Sequence, residues 1–383
     1  MMFPKDSKNY PVKNEFIYLA HCGIAPMYAA AVEKAAALMM EHSRKGGNGL
    51  SAYASSVTEL HEAAASLMQV GADDITFLRN TAEGLSLVAN GYPFQPGDEI
   101  ITYSHEYPSN HYPWLLQKKR GVVVKLIEDS GEEKDRPCAW TLESLEKLCT
   151  NRTRMVAVSH VQFTSGFAAD LEKLGAFCKE RNLDLVIDAA QSLGSIPVFP
   201  EKWNVAAVAA SGWKWLLGPV GTGLLYTSKN LRGRLEITMA GADLMKQGQD
   251  YLNHAWQPYE DGRKFEYSTS PFYQAAALAL CIHDHQNKFG IENVQKEIRR
   301  LQDIFLGAID KTQFRPPQFP ESRRSGILSL VSKNPGEVAL RARSEKVFVT
   351  ERGGYLRIAP HFYTSDDEMV KAAEILNGVV KTL

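Results

Sequence analysis

Two neighbouring stretches decide the fold: LDLVIDAAQSLGSIPV at residues 183–198 and WNVAAVAASGWKWLLGPVGTGLLY at residues 203–226. Both carry short β-rich runs, and LDLVI in the first, like VVV at residues 122–124, is continuous rather than alternating, the pattern of a mostly parallel sheet covered on its two faces. Two charges interrupt that pattern. Asp188 closes the first run, and Lys214 stands between Trp213 and Trp215 after the second. A core favours neither charge, so each needs a partner. Taken alone, Lys214 also fits a lysine that snorkels its ammonium to water. Taken with Asp188, on what reads as a neighbouring strand end, it fits pyridoxal 5'-phosphate (PLP). The aldehyde of PLP is captured by a lysine as an imine. Its pyridine nitrogen keeps a proton against a carboxylate, so the ring can accept electrons.

Working outward, β-rich runs alternate with helical stretches from about Ser56 to Tyr226: DITFL, DEIITY, GVVVKLIE, RMVAVSHV and LDLVID, with helical patterns such as LEKLGAFCKERN between them. This is the α/β signature, and ligands of such sheets sit at strand ends. After roughly Asp261 the pattern changes to long helices (PFYQAAALALCIHDH, ENVQKEIRRLQDIFLGAID), two strands (GILSLV, YLRIA) and a closing helix from Asp366. The expected organisation is a large domain over residues 25–260 and a smaller α+β domain built from residues 1–24 and 261–383. GEEKDRPC, at residues 131–138, reads as a surface loop.

A formal net charge of −1 gives no field that favours nucleic acid or a membrane surface, so a small-molecule substrate is expected. The five cysteines are scattered without a CxxC pair, which indicates neither a disulfide framework nor a zinc site, and a cytoplasmic location is expected. The longest apolar run, Ala275 to Ile282, is far short of the ~20 residues that span a bilayer. MMFPKDSKNY has no apolar signal core. GPVGTG leads into the strand-like LLYTS rather than a helix, which argues against a dinucleotide loop. His283 and His285 do not share a helix face, so no metal is expected there.

The quoted segments resemble the class V aminotransferase family of fold-type I PLP enzymes, whose members include cysteine desulfurases, kynureninase and isopenicillin N epimerase. The resemblance covers nearly the whole chain. It implies a Schiff base on Lys214, with Asp188 and Gln191 at the ring nitrogen and ring hydroxyl, and Ser211 at the phosphate. Where the family often has His before the lysine, this chain has Trp213, which is placed among the cofactor contacts. The segment ITFLRNTAEGLSLVAN reads as a strand and a capped helix start, a ready phosphate site. The resemblance puts the phosphate on Thr81 and Ala82. In YSHEYPSNHYPW it implies that Tyr107 stacks over the ring, and in SHVQFTSGF that His160 lies near the ring hydroxyl. In ERGGYLRIAPHFYT it assigns the substrate carboxylate to Arg357, for which a planar guanidinium is suited. Two readings stand for His21 in IYLAHCGIAP, a substrate-facing group or a satisfied structural histidine. RKFEYSTSP resembles the segment that crosses a homodimer to the partner's phosphate, which implies Thr269.

The expected activity is PLP chemistry on a small amino acid with removal of its α-proton, read first as transamination. The alternatives are a lyase of the cysteine/selenocysteine or kynureninase kind and an amino-acid epimerase. A PLP-binding regulator that has kept the fold is the non-enzyme alternative. Between Cys281 and Arg357 there is no cysteine, which disfavours desulfuration through a thiol on a mobile loop before the arginine.

Overall fold

The computed structural model describes residues 3–48, 54–131 and 136–383; of the expected loop at 131–138, residues 132–135 lie outside the described residues. Its centre is a seven-stranded sheet of β1 (Ile75–Leu78), β2 (Glu99–Tyr103), β3 (Val123–Ile127), β4 (Thr153–Ser159), β5 (Asp184–Asp188), β6 (Ala207–Ser211) and β7 (Gly223–Thr227). The spatial order is β1-β7-β6-β5-β4-β2-β3. Strands β2 to β6 run parallel, and β7 is antiparallel to both its neighbours.

Alternate residues of the inner strands divide between two apolar cores. Val156, Val158, Leu185, Ile187 and Val208 face one core, while Met155, Ala157, Val186, Ala207 and Ala209 face the other. Helices α1 (Ala29–Lys45), α2 (Ala54–Met68), α3 (Thr81–Gly91) and α4 (Leu171–Glu180) accompany the sheet. Leu85 and Val88 of α3 join the second core, and Leu171, Leu174 and Phe177 of α4 join the first. The two-sided covering expected of the VVV run does not hold. That run lies in the edge strand β3, whose Val123 and Leu126 are 46% and 38% exposed.

The C-terminal part adds α5 (Phe272–Cys281), α6 (Ile291–Ala308), β8 (Leu328–Leu330), α7 (Pro335–Ser344), β9 (Thr350–Arg352), β10 (Tyr355–Ile358) and α8 (Asp366–Lys381). The three strands form an antiparallel sheet in the order β9-β10-β8. Leu301, Phe305, Leu330, Leu356, Ile358 and Leu376 close a separate core. A capping box of Ser365 and Glu368 fixes the start of α8. Near the N-terminus, Ile17–Tyr18 pairs in parallel with Val347–Phe348, which ties the first residues to this unit. Helix α5 packs on α1 and α2. It runs into a π-helical turn, Ile282–Asn287, where His285 is buried against Tyr10 (3.0 Å) and His283 meets Asp284 (3.1 Å). Among the described residues no group of His, Cys, Asp and Glu could hold a metal, and no helix is long and apolar enough to cross a membrane.

Candidate active site

The carboxyl ends of β4, β5 and β6 open into a cavity of about 420 Å³. Thr81, Ala82, Tyr107, Asp188, Gln191, Ser211, Trp213 and Lys214, all expected at the site, line it together. Parallel strands make this convergence possible, because they present all their C-terminal ends on one edge of the sheet.

Asp188 ends β5 beside Ser159 of β4 and Ala209 of β6. It is buried, and its Oδ1 accepts the Ala190 N–H at 2.8 Å. Burial raises its proton affinity above the usual carboxylate range, against the pull of that N–H and of Lys214. Lys214 follows the end of β6 and is half-buried on the cavity wall. Burial lowers its pKa, and the Asp188 charge offsets part of that effect while the Arg357 charge adds to it. Tyr107, 44% exposed, places its ring centroid 5.6 Å from Lys214 Nζ and lies edge-on to Phe163 at 5.2 Å.

At the other end of the cavity α3 begins. Asn80 caps it by accepting the Glu83 N–H at 2.9 Å, and Thr81 Oγ1 lies 2.7 Å from Ser211 Oγ. Two hydroxyls and the free N–H groups of a helix start thus meet at one point, as a phosphate requires. Gly223 makes this possible, since a Cβ there would lie 2.9 Å from the Asn80 nitrogen.

Gln191 is held from both ends. Its Nε2 donates to the Cys22 carbonyl (2.8 Å) and its Oε1 accepts from Trp215 Nε1 (3.1 Å), so its amide fixes the N-terminal segment beside the cavity. Arg357, on β10, is buried. It donates to the Phe163 carbonyl (2.6 Å) and to Thr350 Oγ1 (3.1 Å), and its Nε has no partner. It is not part of the cavity lining, although Phe163, to which it is bonded, is.

Three further expected residues lie outside the lining. Ser159 and Val161 line the cavity, and His160 between them lines a second cavity that includes Trp203 and Arg299. Alternation along an extended chain sends consecutive side chains to opposite faces, so His160 is turned away. Burial pushes its pKa down to about 3. His21 is buried with both ring nitrogens engaged, Nδ1 with the Ala359 carbonyl (2.8 Å) and Nε2 with Tyr363 Oη (2.6 Å), and burial takes its pKa to about 4. This is the geometry of a satisfied structural histidine. Thr269 is exposed and outside the cavity. Sequence reasoning missed Ser159, Phe163 and a buried glutamate behind Ser159, Glu106. The only signal for the last is an acid in the aromatic run between His105 and Tyr107.

The site fits PLP on its own geometry: a buried carboxylate, a lysine disfavoured as an ammonium, an aromatic ring nearby and a hydroxyl-bearing helix start at the far end. The model of the aminotransferase class-V family matches residues 17–347. The chain is similar to a probable cysteine desulfurase of Methanothermobacter thermautotrophicus, with 26% identity over 97% of this chain and 96% of the relative. A probable cysteine desulfurase of Pyrococcus abyssi is 28% identical over 100% of this chain and 99% of the relative. Among solved structures, the apo cysteine desulfurase of Thermococcus onnurineus NA1 superposes with a TM-score of 0.87 at 25% identity, covering 100% of this chain and 99% of that one.

Proposed function

The chain belongs to the class-V aminotransferase family, and from that premise we propose that it is a PLP-dependent lyase that releases sulfur from cysteine or a close relative of cysteine. The sequence alone favours transamination. Full-length relatives named as cysteine desulfurases favour the lyase alternative over it. One observation carries the proposal: in a chain so matched, Lys214 and Asp188 face a single cavity at the strand ends.

When bound, PLP supplies an electrophilic carbon for the substrate amine and a sink for the electrons left at the α-carbon. The protein contributes the rest. Thr81, Ser211 and the first N–H groups of α3 hold the phosphate. Asp188 holds the ring-nitrogen proton, and Tyr107 covers the ring. Lys214, biased toward the neutral amine by burial, is suited to take the α-proton. Arg357 orients the substrate carboxylate. With no cysteine between Cys281 and Arg357, sulfur leaves the β-carbon without a thiol from that segment to receive it.

The test is incubation of the PLP-loaded protein with L-cysteine while sulfide, pyruvate, ammonia and alanine are scored. Sulfide with pyruvate and ammonia is expected, and it is lost in Lys214→Ala. Alanine, with sulfide freed only when a thiol reductant such as dithiothreitol is added to reduce the resulting persulfide, would mean desulfuration onto a thiol. An oxo acid that forms without sulfide, and only when 2-oxoglutarate is added, would restore transamination.

A further inference from the structure

Behind the wall of the cavity lies a second carboxylate, which the mechanism above does not use. Glu106 follows β2 and is 8% exposed. Its Oε1 accepts the Ser159 N–H at 2.7 Å and the Gln162 Nε2–H at 3.3 Å, and its Oε2 accepts the Ser159 hydroxyl. Three donors on two oxygens suit the ionised group; on protonation the Ser159 hydroxyl, which donates here, would have to turn and accept. Among the described residues no lysine or arginine pairs with it. A buried carboxylate without a counter-ion is costly unless some cation is to come. Ser159, which donates to Glu106 twice, is the register partner of Asp188 and lines the same cavity.

We propose that Glu106 is a positioning residue of the cofactor pocket: it fixes the Ser159 hydroxyl and sets a second negative charge behind Asp188, strengthening the pocket's hold on a protonated pyridine ring. The inference rests on the reading that PLP occupies this cavity. The cation that Glu106 lacks among the described residues would then be the ring itself, held by Asp188 with Glu106 in support.

Burial pushes the Glu106 pKa up to about 7, against the Ser159 hydrogen bonds and with help from the Asp188 charge. The titratable groups that act on it are Asp188 on β5 and Tyr103 on β2, with His105 beside it in the chain and His160 beside Ser159. Burial raises Tyr103 beyond its usual range and takes His160 to about 3, so neither titrates between about pH 5.5 and 8. The support from Glu106 is therefore present above neutrality and fades as the carboxylate protonates on the acid side.

The experiment is equilibrium titration of the apo protein with PLP, read by absorbance from about pH 5.5 to 8, for the wild type, Glu106→Gln and Ser159→Ala, alongside apo melting temperatures. Glu106→Gln is expected to bind PLP roughly tenfold more weakly near pH 8, the effect of one unit charge a short distance away, with the difference closing toward pH 5.5. Ser159→Ala removes a donor to the carboxylate, so its pH break should move upward relative to the wild type. That second variant decides the matter if Glu106→Gln does not fold. A ratio of affinities that stays flat with pH, or a break that Ser159→Ala leaves in place, would overturn the assignment. Failure of the cofactor reading is separate, because the wild type itself would then bind no PLP.

Discussion

Replacing Asp188 by Asn tests whether this carboxylate serves the cofactor or the fold. The side chain keeps its shape, and its oxygen can still accept the Ala190 N–H that lies 2.8 Å from Asp188 Oδ1. What disappears is one buried negative charge. In the folded apo protein that charge is a burden, because burial raises the carboxyl above its ordinary range. The sign follows from linkage: a carboxyl whose pKa rises on folding destabilises the fold increasingly as pH climbs through the folded value, and it contributes nothing below the ordinary aspartate range. Lys214 loses some favourable charge in the variant, but burial already biases it toward the neutral amine. The apo melting temperature should therefore stay within a few degrees of the wild type at about pH 8. Catalysis should not be spared. A hydrogen bond between charged partners contributes about 1.5–3 kcal/mol, and loss of one preorganised electrostatic partner in an active site costs roughly a hundred- to a thousandfold in rate, about 2.7–4 kcal/mol. Steady-state kcat/KM for cysteine, with PLP kept saturating, should fall by that factor. A loss below about fivefold, or a melting point lowered by ten degrees or more, would return Asp188 to a structural role.

Three further outcomes are expected. Arg357→Lys should lower kcat/KM for amino acids by roughly a hundredfold, because a point charge cannot hold the Phe163 carbonyl and Thr350 while binding a carboxylate; the absorbance of bound PLP should stay unchanged. Gly175→Ala should destabilise the protein by more than about 3 kcal/mol in denaturant titration, since the added Cβ would lie 1.6 Å from the Trp203 carbonyl oxygen and the backbone must move. The active protein should sediment as a homodimer: Met39, Met40, Tyr251, Leu252 and Trp256 are more than half exposed in the single chain, and an active monomer would refute the borrowed Thr269.

The sheet was legible because inner parallel strands are buried on both sides, so their sequence carries apolar runs with no polar phase. The same property misled at β3. An edge strand and an inner strand can share the run VVV, and only the missing neighbour exposes Val123 and Leu126. Lys214 and Asp188 stood out as charges set in apolar surroundings, and Thr81 by the cap before it. His160 did not yield to the same reasoning. The chain keeps its alternation past the end of β4, but no local feature says which phase faces the cavity; that depends on how β4 sits against β5. Gln191 was expected at the site, but the bonds that hold it were not legible, since its partners Cys22 and Trp215 come from distant parts of the chain. Glu106 escaped because one acid in an aromatic loop looks like any surface residue until its donors are known.

The relation between Lys214 and Asp188 separates a binding site from a structural pair. They influence each other, yet no ion pair joins them, and burial drives each away from its charged form: the carboxyl up and the amine down. Two groups retained for stability would close on each other, because a separated buried pair bears both desolvation costs and recovers little of either. Here the costs remain, on a shared wall with room for a molecule between the groups and the start of α3. A ligand that takes the lysine nitrogen into a covalent bond and offers the aspartate a cation removes both penalties at once. Opposed shifts of this kind mark functional sites more often than structural ones. The strain is therefore relieved by loading the site, so PLP should raise the melting temperature of the wild type by more than that of Asp188→Asn, where only one of the two penalties existed to be relieved. Equal stabilisation of both proteins would show that the carboxylate takes no part in holding the cofactor.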